Sequence, residues 1–412
     1  MKILAITNLY PPYVLGGYEL LAQKTMRALK ERGHEVFIAT GKGSQLPVDA
    51  HLFGVYDLDL DRKEDEFLYH VQGRFEELKK QLFHSGNYRT TQTLITEVKP
   101  DVVSVWNLYK MSISPLIAAR RAQAPTVTHL TDRWLLLSAK DILASRPHIR
   151  RIKRLGLRAI RATVQPALYR LTQPDNLIIP SISLRDTYVD AGFPADAFHL
   201  VPHGIEVERF PYLRREPRQV DEPVFLLYVG QLWEGKGVHI LLRALGHLKR
   251  SGTRSFLLNI YGTGASNFID HLRTIVLEED LQDHVQFCGT VPYDDLASVY
   301  HAHDVLIFPS IWNEPFALVP LEAMATGLPI VASDAGGTKE AVRHEQTGLV
   351  VPTNEAKPMA DAIRKLIDDE ASRLRLGQQA AAVVRAEYDF EKMVDRVEAF
   401  YMSLKGSNSV NM

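Results

Sequence analysis

The stretch 304-DVLIFPSIWNEPFALVPLEAMATGLPIVAS-333 decides the fold. Its apolar run VLIFPS predicts a buried strand, IWNE a short loop, and the following residues a helix that stops at Ala325–Gly327. The run LPIVAS predicts the next strand. Pro315 and Pro320 fit only at or before the first turn of the helix, because a helical interior excludes proline. The stretch therefore predicts a strand–helix–strand unit of a parallel sheet covered on both faces.

The same alternation of short apolar runs and helical patterns extends along the whole chain of 412 residues. In the first half we expect strands at 2–7, 35–40, 51–56, 101–107, 125–131 and 176–181. In the second half we expect strands at 224–230, 256–262, 285–290, 304–310, 328–333 and 348–351. Residues 18–34 place apolar side chains at near-helical spacing, and Gly33 ends that helix as a C-cap. The pattern predicts an α/β protein with two doubly wound halves.

The length predicts two domains, since a single core rarely serves more than about 250–300 residues. The boundary is expected near 200–222, a stretch rich in proline and charge and poor in periodicity. We therefore expect an N-terminal domain at 1–200 and a C-terminal domain at 205–388. Ligands of open parallel sheets lie beyond the carboxyl ends of the strands. If both domains turn those ends toward a shared cleft, one ligand can be held from two sides.

Composition excludes several classes of function. The net charge is −1, so nucleic acid is not an expected partner. The single cysteine, Cys288, cannot form an internal disulfide, which fits a reducing compartment. The N-terminal apolar run is too short for a signal peptide, no run of 18 apolar residues occurs, and we expect a cytoplasmic protein. No Cys/His cluster has zinc spacing, and we interpret 57-DLDLD-61 as a loop or strand edge, so no metal or cofactor is expected.

Two glycine segments are candidates for contact with an anion. In 15-LGGYE-19, Gly16 and Gly17 follow the first strand and open a helix, where bare backbone N–H groups can face a phosphate. A flexible turn explains the same pair equally well. The segment 262-GTGASN-267 keeps only two glycines of a dinucleotide fingerprint. Gly262 therefore marks either a tight turn or a place where backbone approaches a ligand.

Charged side chains in two other loops point more directly to a ligand. Lys236, in 229-VGQLWEGKG-237, follows the first strand of the second half, where a cation is useful for a phosphate, although surface lysines are common there. In the opening stretch, Glu314 lies in the loop before the N-terminus of the predicted helix, and Glu322 lies about one turn into that helix. Each carboxylate can accept two hydrogen bonds from a vicinal diol, worth roughly 1.5–3 kcal/mol each when shielded from water.

The two glutamates also have a structural interpretation. Glu314 can cap the helix and Glu322 can pair with a basic neighbour, and for either residue alone that interpretation is preferred. Their joint placement around a helix start favours a ligand site. Backbone N–H groups at that start point out of the helix and can serve the same ligand; they belong to Phe316, Ala317 and Leu318.

The segment 146–170 carries eight Lys or Arg residues and no Asp or Glu. Its arginines fall near one helical face, and its isoleucines fall elsewhere. We favour a solvated helix face. The alternative is contact with an anionic membrane or an anionic acceptor.

Taken together, these motifs resemble the GT-B retaining glycosyltransferases of family 4 over nearly the whole chain. The resemblance rests on the GG loop, on G-x-L-x-x-x-K-G, on a G-x-V turn, on E-x7-E and on two longer segments. The longer segments are 201-VPHGIEVERF-210 and 327-GLPIVASDAGGTKEAV-342. The resemblance implies two Rossmann-like domains facing across a cleft, with a last helix at about 390–405 crossing back to the N-terminal domain.

The resemblance also implies roles for individual residues. Lys236 would neutralise the diphosphate of a nucleotide sugar, Glu322 would bind the ribose, and Glu314 would hold hydroxyls of the donor sugar. The helix-start amides would assist Glu314. Val291 would contact the base through its backbone, and Gly16 and Gly17 would close over the phosphates.

Two departures from the family pattern concern the site. Gln231 stands where many members have an arginine, so a clamp of two cations on the diphosphate is not expected from that position. Thr131-Asp132 stands where many members have His-Asp. Asp132 is assigned to catalysis with Lys236 and Glu314. The remaining acceptor-side candidates are Trp134, Tyr10 and His129, which shares a strand face with Thr131.

The resulting hypothesis is a retaining transferase that moves a sugar from a UDP- or GDP-sugar to an acceptor hydroxyl. The acceptor is a glycan, a lipid-linked molecule or a small molecule, and the enzyme lies at the inner face of the membrane if 146–170 meets lipid. No enzymic nucleophile emerges, which favours front-face attack. The alternatives are a sugar-nucleotide epimerase on the same scaffold and, from another class, a nicotinamide dehydrogenase.

Overall fold

The computed structural model consists of two compact units, Met1–Val201 together with Val394–Met412, and Pro202–Met393. The structure describes residues 1–14, 17–42, 51–58, 83–109, 111–136, 172, 176–216, 218–219, 222–253 and 255–408. Gly16, most of 57-DLDLD-61 and the whole basic segment 146–170 lie outside the described residues. Among the described helices, none has the length and apolar character needed to cross a membrane.

The first unit is built on a seven-stranded parallel sheet with the strand order β3-β2-β1-β4-β5-β6-β7. The strands are β1 Lys2–Ile6, β2 Glu35–Gly41, β3 Leu52–Tyr56, β4 Val102–Val105, β5 Thr126–His129, β6 Leu177–Ile179 and β7 Phe198–Leu200. The helices are α1 Gly17–Glu31, α2 Ser85–Val98, α3 Ser114–Arg121 and α4 Ile182–Val189. Strand β1 is almost completely buried, as expected for a central strand covered on both faces. All six expected strands are present, and β7 is an additional edge strand.

The second unit has a six-stranded parallel sheet with the order β10-β9-β8-β11-β12-β13. The strands are β8 Val224–Val229, β9 Phe256–Tyr261, β10 Val285–Gly289, β11 Val305–Phe308, β12 Ile330–Ser333 and β13 Gly348–Val351. The helices that begin in this unit are α5 Val238–Arg250, α6 Ser266–Glu278, α7 Leu296–His301, α8 Leu318–Ala325, α9 Thr338–Ala341, α10 Ala356–Asp368, α11 Glu370–Glu387 and α12 Phe390–Asn408. The expected fold class, two doubly wound parallel-sheet halves, is confirmed.

The second sheet is packed on both faces, which explains why its strands are continuously apolar. Leu226 and Tyr228 belong to one core cluster, whereas Leu227 and Val229 belong to a cluster on the opposite face. Strands β8 and β11 are neighbours, and the chain leaves them toward opposite edges of the sheet. In open α/β sheets such a switch point is where ligands bind, at the carboxyl ends of the strands. The loops after β8 and β11 are therefore the first place to look for a site.

From Val394 onward, the last helix belongs to the first unit. The buried hydroxyl of Tyr401 lies 2.6 Å from Ser104 Oγ and 2.6 Å from His129 Nε2, on adjacent strands β4 and β5. Glu398 accepts hydrogen bonds from Arg32 and His34 at the end of α1, both at 2.7 Å. These polar contacts fix α12 against the first sheet.

Candidate functional site

Lys236 and Glu314 meet in the loops that follow β8 and β11. Lys236 ends a short 3-10 turn, Glu234–Lys236, and its Nζ lies 2.6 Å from Glu314 Oε1. Ser310 Oγ donates a second hydrogen bond to the same oxygen at 2.7 Å. The Glu314 carboxylate is buried, so the charge–charge attraction is less screened than on the surface. An ammonium has three donors and a carboxylate two oxygens, so both groups retain capacity for a ligand.

A single backbone carbonyl ties the two loops together. Gly235 O accepts hydrogen bonds from the amides of Ile311 and Trp312, each at 2.9 Å. The turn that carries Lys236 and the loop that carries Glu314 are therefore one hydrogen-bonded assembly. This places an ion pair at the switch point of the sheet with little freedom to separate.

A third loop, which follows β12, contacts the backbone of Glu314. The amide of Gly337 donates to Glu314 O at 2.8 Å. Gly336 has φ +61°, and a Cβ there would lie 2.2 Å from the same carbonyl oxygen. Only glycine fits such a close approach, which gives a physical reason for Gly336, the first of the two adjacent glycines after β12.

Helix α8 begins four residues after Glu314, on the same loop. Ala317 is its N-cap residue, with extended backbone, and the side chain of this N-cap residue makes no capping hydrogen bond. The first N–H groups of a helix have no partner within the helix and carry partial positive charge. Phe316 and Leu318, on either side, bury apolar surface in the core beneath. Pro320 lies in the first turn, as its ring requires.

Glu322 is the fifth residue of α8 and is 4% exposed. Tyr300 donates its hydroxyl hydrogen to Glu322 Oε2 at 2.8 Å, and the hydroxyl of Tyr293 is also hydrogen-bonded to Glu322. Burial, and then the nearby carboxylate, raise the pKa of both phenols, so they stay protonated and donate. Neither tyrosine was predicted as part of the site. Their spacing matches no motif, and only the packing of α7 against α8 brings Tyr300 to the carboxylate.

The other donor-side candidates have different environments. Gln231 is exposed, and its backbone carbonyl accepts a hydrogen bond from the Tyr228 hydroxyl at 2.8 Å. Gly262 has φ +149°, and a Cβ there would lie 1.8 Å from Gly230 O, so the close approach of two loops explains this glycine without a ligand. Val291 is half-buried after β10 and packs on the core below α8.

In the first unit, His129 is part of the packing under the C-terminal helix. Its ring is 3% exposed and stacks on Trp106, with centroids 3.9 Å apart and planes 8° apart. Its Nε2 bonds to Tyr401, and its carbonyl accepts from Trp134 Nε1 at 3.2 Å. These contacts give the side chain a structural role. Tyr10 is half-buried in the loop after β1, and its backbone carbonyl accepts a hydrogen bond from the backbone N–H of Tyr13.

Asp132 follows β5, next to the buried Thr131, and is half-buried. Its Oδ1 accepts a hydrogen bond from the backbone N–H of Trp134 at 2.7 Å. Burial raises the pKa of the carboxyl to about 6, against the weaker effects of that hydrogen bond and of Arg133. A carboxyl with this pKa can exchange a proton near neutral pH. Gly17, the described half of the glycine pair, is exposed at the first residue of α1.

The raised pKa of Asp132 leads to a pH-dependent stability. A carboxyl that binds protons more tightly in the folded state stabilises the fold fully below its ordinary pKa near 4, and this contribution is lost as the pH rises through about 6. Asp132→Asn keeps an acceptor for Trp134 and removes the titration. We expect the melting temperature of the variant minus that of the wild type to be larger at pH 8 than at pH 5. An equal difference at both pH values would contradict the shift.

Across the described residues, no three His, Cys, Asp or Glu side chains converge in a way that could hold a metal ion. The positive charge at the site in the second unit comes from Lys236 and from the start of α8. This arrangement can bind a polyanion beside a polyhydroxylated group. Lys236 and helix N–H groups suit phosphates, whereas Glu314 and Glu322 suit hydroxyls.

Two models of known protein families match adjacent parts of this chain. A model described as Glycosyl transferases group 1 matches residues 210–383, and one described as Glycosyltransferase Family 4 matches residues 15–209. Glycogen synthase of Mycobacterium tuberculosis is 28% identical over 98% of this chain and 95% of its own length.

Two solved structures share the fold of the whole chain. Sucrose-phosphate synthase from Thermosynechococcus elongatus is 22% identical, with a TM-score of 0.71 over 98% of this chain and 99% of its own. HepE from Anabaena, in complex with UDP-glucose, is 18% identical, with a TM-score of 0.68 over 98% of this chain and 100% of its own.

Proposed function

This chain belongs to the group 1 glycosyltransferases of family 4 and has the GT-B fold, and on that premise we propose that it moves a sugar from a nucleoside diphosphate sugar to an acceptor hydroxyl, with retention at the anomeric carbon. One observation carries the proposal: Lys236 Nζ and Glu314 Oε1 lie 2.6 Å apart in the loops that follow the neighbouring strands β8 and β11. The complex of HepE with UDP-glucose makes UDP-sugars the first donors to test and GDP-sugars the second.

Departure of the diphosphate is the electrostatic problem in this reaction. Lys236 can keep one N–H on Glu314 and donate the other two to phosphate oxygens. The N–H groups at the start of α8 add partial positive charge beside it. Because the surrounding loops are already hydrogen-bonded to Gly235, this charge is in place before the reaction and costs little reorganisation.

Glu322 is the proposed ribose contact. Its two tyrosine donors hold the carboxylate in one orientation, and an ionised carboxylate accepts further hydrogen bonds from hydroxyls. Glu314 is the proposed contact for hydroxyls of the transferred sugar, and Val291 is the proposed backbone contact for the base. Gly16 and Gly17 are the proposed phosphate contacts of the first unit.

Retention is proposed to occur by front-face attack. The acceptor oxygen forms its bond to the anomeric carbon on the face from which the diphosphate leaves, and the acceptor proton passes to the departing phosphate oxygen. The ion pair of Glu314 with Lys236, together with the bond from Ser310, supports a role for this carboxylate in binding rather than as a nucleophile. No metal is part of the proposal, because Lys236 and α8 supply the charge.

The acceptor is proposed to bind to the first unit, near Asp132, Trp134 and Tyr10. Two buried donors support this location. Trp106 Nε1 and Asn107 Nδ2, just after β4, have no hydrogen-bond partner among the described residues. An unpaired buried donor costs about 1–3 kcal/mol, so a ligand oxygen or a bound water is expected to satisfy these groups.

A thermal-shift screen tests the donor class. We expect one nucleoside diphosphate and its sugar, among UDP, GDP, UDP-glucose and GDP-mannose, to raise the melting temperature. A ligand at 100 times its dissociation constant adds about 2.7 kcal/mol, or about 5–10 °C for a domain of this size. Stabilisation by NAD with none of these ligands active would contradict the proposal and favour a dehydrogenase.

Product analysis with the stabilising donor tests the chemistry. We expect transfer to persist in EDTA and the product to keep the anomeric configuration of the donor, as read by proton NMR. Loss of transfer in EDTA with recovery by a divalent cation would contradict metal independence. Conversion of the donor to its epimer, without transfer to any acceptor, would favour the epimerase alternative.

A further inference from the structure

Two tryptophans lie exposed in the loops that carry the ion pair. Trp233 precedes Lys236 by three residues, and Trp312 precedes Glu314 by two. Their side chains are 39% and 42% exposed, and their ring centroids lie 5.7 Å apart with planes inclined at 64°. The two rings thus form one exposed aromatic surface, the Trp233–Trp312 pair, at the carboxyl ends of β8 and β11.

The same turn that holds the ion pair holds this aromatic pair. Trp233 O accepts the amide of Lys236 at 2.9 Å, and the amide of Trp312 donates to Gly235 O at 2.9 Å. The Trp233 ring lies directly over Gly235, where a Cβ would come within 2.1 Å of two ring carbons. Both rings are therefore attached to backbone that cannot move without disturbing Lys236, and their surface is organised in advance of binding.

The chemistry of this surface complements the charged groups beside it. A pyranose ring has a rim of hydroxyls and a face of C–H bonds with slight positive charge. The faces of aromatic rings are electron-rich and apolar, and they bind such a C–H face. Lys236 and Glu314 suit the phosphate and the hydroxyls but offer nothing to the apolar face of the same molecule.

We propose that the Trp233–Trp312 pair packs against the C–H face of the transferred sugar and so helps to select which sugar is accepted. The inference rests on the proposed function, because it places the donor sugar at Glu314. The sugar of the donor is chosen as the occupant because both rings belong to the assembly of Lys236 and Glu314. An acceptor sugar has no equivalent link to these loops on the described residues.

Calorimetry with a matched pair of ligands tests the proposal. The probes are UDP with UDP-glucose, or GDP with GDP-mannose, whichever pair binds the wild-type protein. In Trp233→Ala and Trp312→Ala, we expect affinity for the nucleotide sugar to fall about tenfold, a loss typical of removing an aromatic contact. Affinity for the diphosphate alone should change less than twofold. Trp312→Phe keeps an aromatic face and should recover part of the loss.

Leu277→Ala provides the control, since Leu277 is an exposed apolar side chain on α6 of the same unit. It should bind both ligands as wild type does. Equal losses for diphosphate and nucleotide sugar, or no loss for either, would overturn the inference, as would an effect confined to the KM of the acceptor. If the wild-type protein binds neither pair, the proposed function fails; if it binds and the tryptophan variants are unaffected, only the inference fails.

Discussion

Lys236→Ala is expected to lower sugar transfer at least about tenfold, a loss of roughly 1.4 kcal/mol in transition-state stabilisation. The substitution removes the ammonium that is proposed to stabilise the departing diphosphate. It also leaves Glu314, whose side chain is 9% exposed, without its cation at 2.6 Å. Removing one partner of a buried pair is costly, because the other charge stays desolvated. We therefore expect a lower melting temperature together with the lower rate.

The double variant separates these two effects. Lys236→Ala with Glu314→Ala should recover part of the stability lost in Lys236→Ala, since no unpaired carboxylate remains buried. It should stay as inactive as either single variant, and Glu314→Ala alone should also lose at least about tenfold. Initial rates and melting curves of all four proteins give the comparison.

Lys249→Ala is the matched control, because Lys249 lies on α5 of the same unit and pairs with Asp280 at 2.7 Å on the surface. Exposed pairs contribute about 0–1 kcal/mol, so this variant should keep its activity and nearly all its stability. Full activity in both Lys236→Ala and Glu314→Ala would remove the basis for the site.

The fold was readable from the sequence because its strands are continuous apolar runs buried on both faces. β7 was missed because Phe198–Leu200 is only three residues long and is not fully buried, so it lacks that signal. Strand ends were predicted too long where proline stops the ladder. The run 304–310 shortens to Val305–Phe308, since Pro309 cannot donate to a neighbouring strand.

The site was only partly readable, because its charged residues follow strands but their partners come from packing. Lys236 and Glu314 were predicted as site residues from the sequence. Their contact at 2.6 Å, however, depends on the hydrogen bonds that Gly235 O accepts from the other loop. Tyr300 reaches Glu322 from another helix, 22 residues away in the chain. His129 shows the converse: it was an acceptor-side candidate because it shares a strand face with Thr131, but Tyr401, 272 residues away, bonds to its ring.

The departure at position 231 has a physical consequence. Gln231 is exposed and its backbone carbonyl accepts the hydroxyl of Tyr228, so this position offers an amide and no second cation. The proposed stabilisation of the diphosphate therefore depends more heavily on Lys236 and the start of α8. The position of Lys236 is accordingly the most sensitive feature of the proposed site.

Gly237→Ala is expected to displace Lys236. Gly237 joins the Lys236 turn to α5 with φ +71°, and a Cβ there would lie 1.9 Å from Pro309 O. An alanine must either push the turn away from the loop that carries Glu314 or shift that loop. Displacements of about 1 Å in catalytic groups can cost roughly a hundredfold in rate. We expect a loss of that order, with a lower melting temperature.

Gly252→Ala separates steric overlap from backbone strain. Gly252 follows α5 with φ +67°, nearly the same backbone conformation, but nothing lies within 4 Å of its Cβ position. Both alanines carry about 1–3 kcal/mol of strain from the left-handed backbone, whereas only Gly237→Ala adds about 1–3 kcal/mol of overpacking. Gly252→Ala should therefore lose some stability and keep its transfer rate. If the two variants matched in rate as well as in stability, the close approach of Gly237 to Pro309 would not be what positions Lys236.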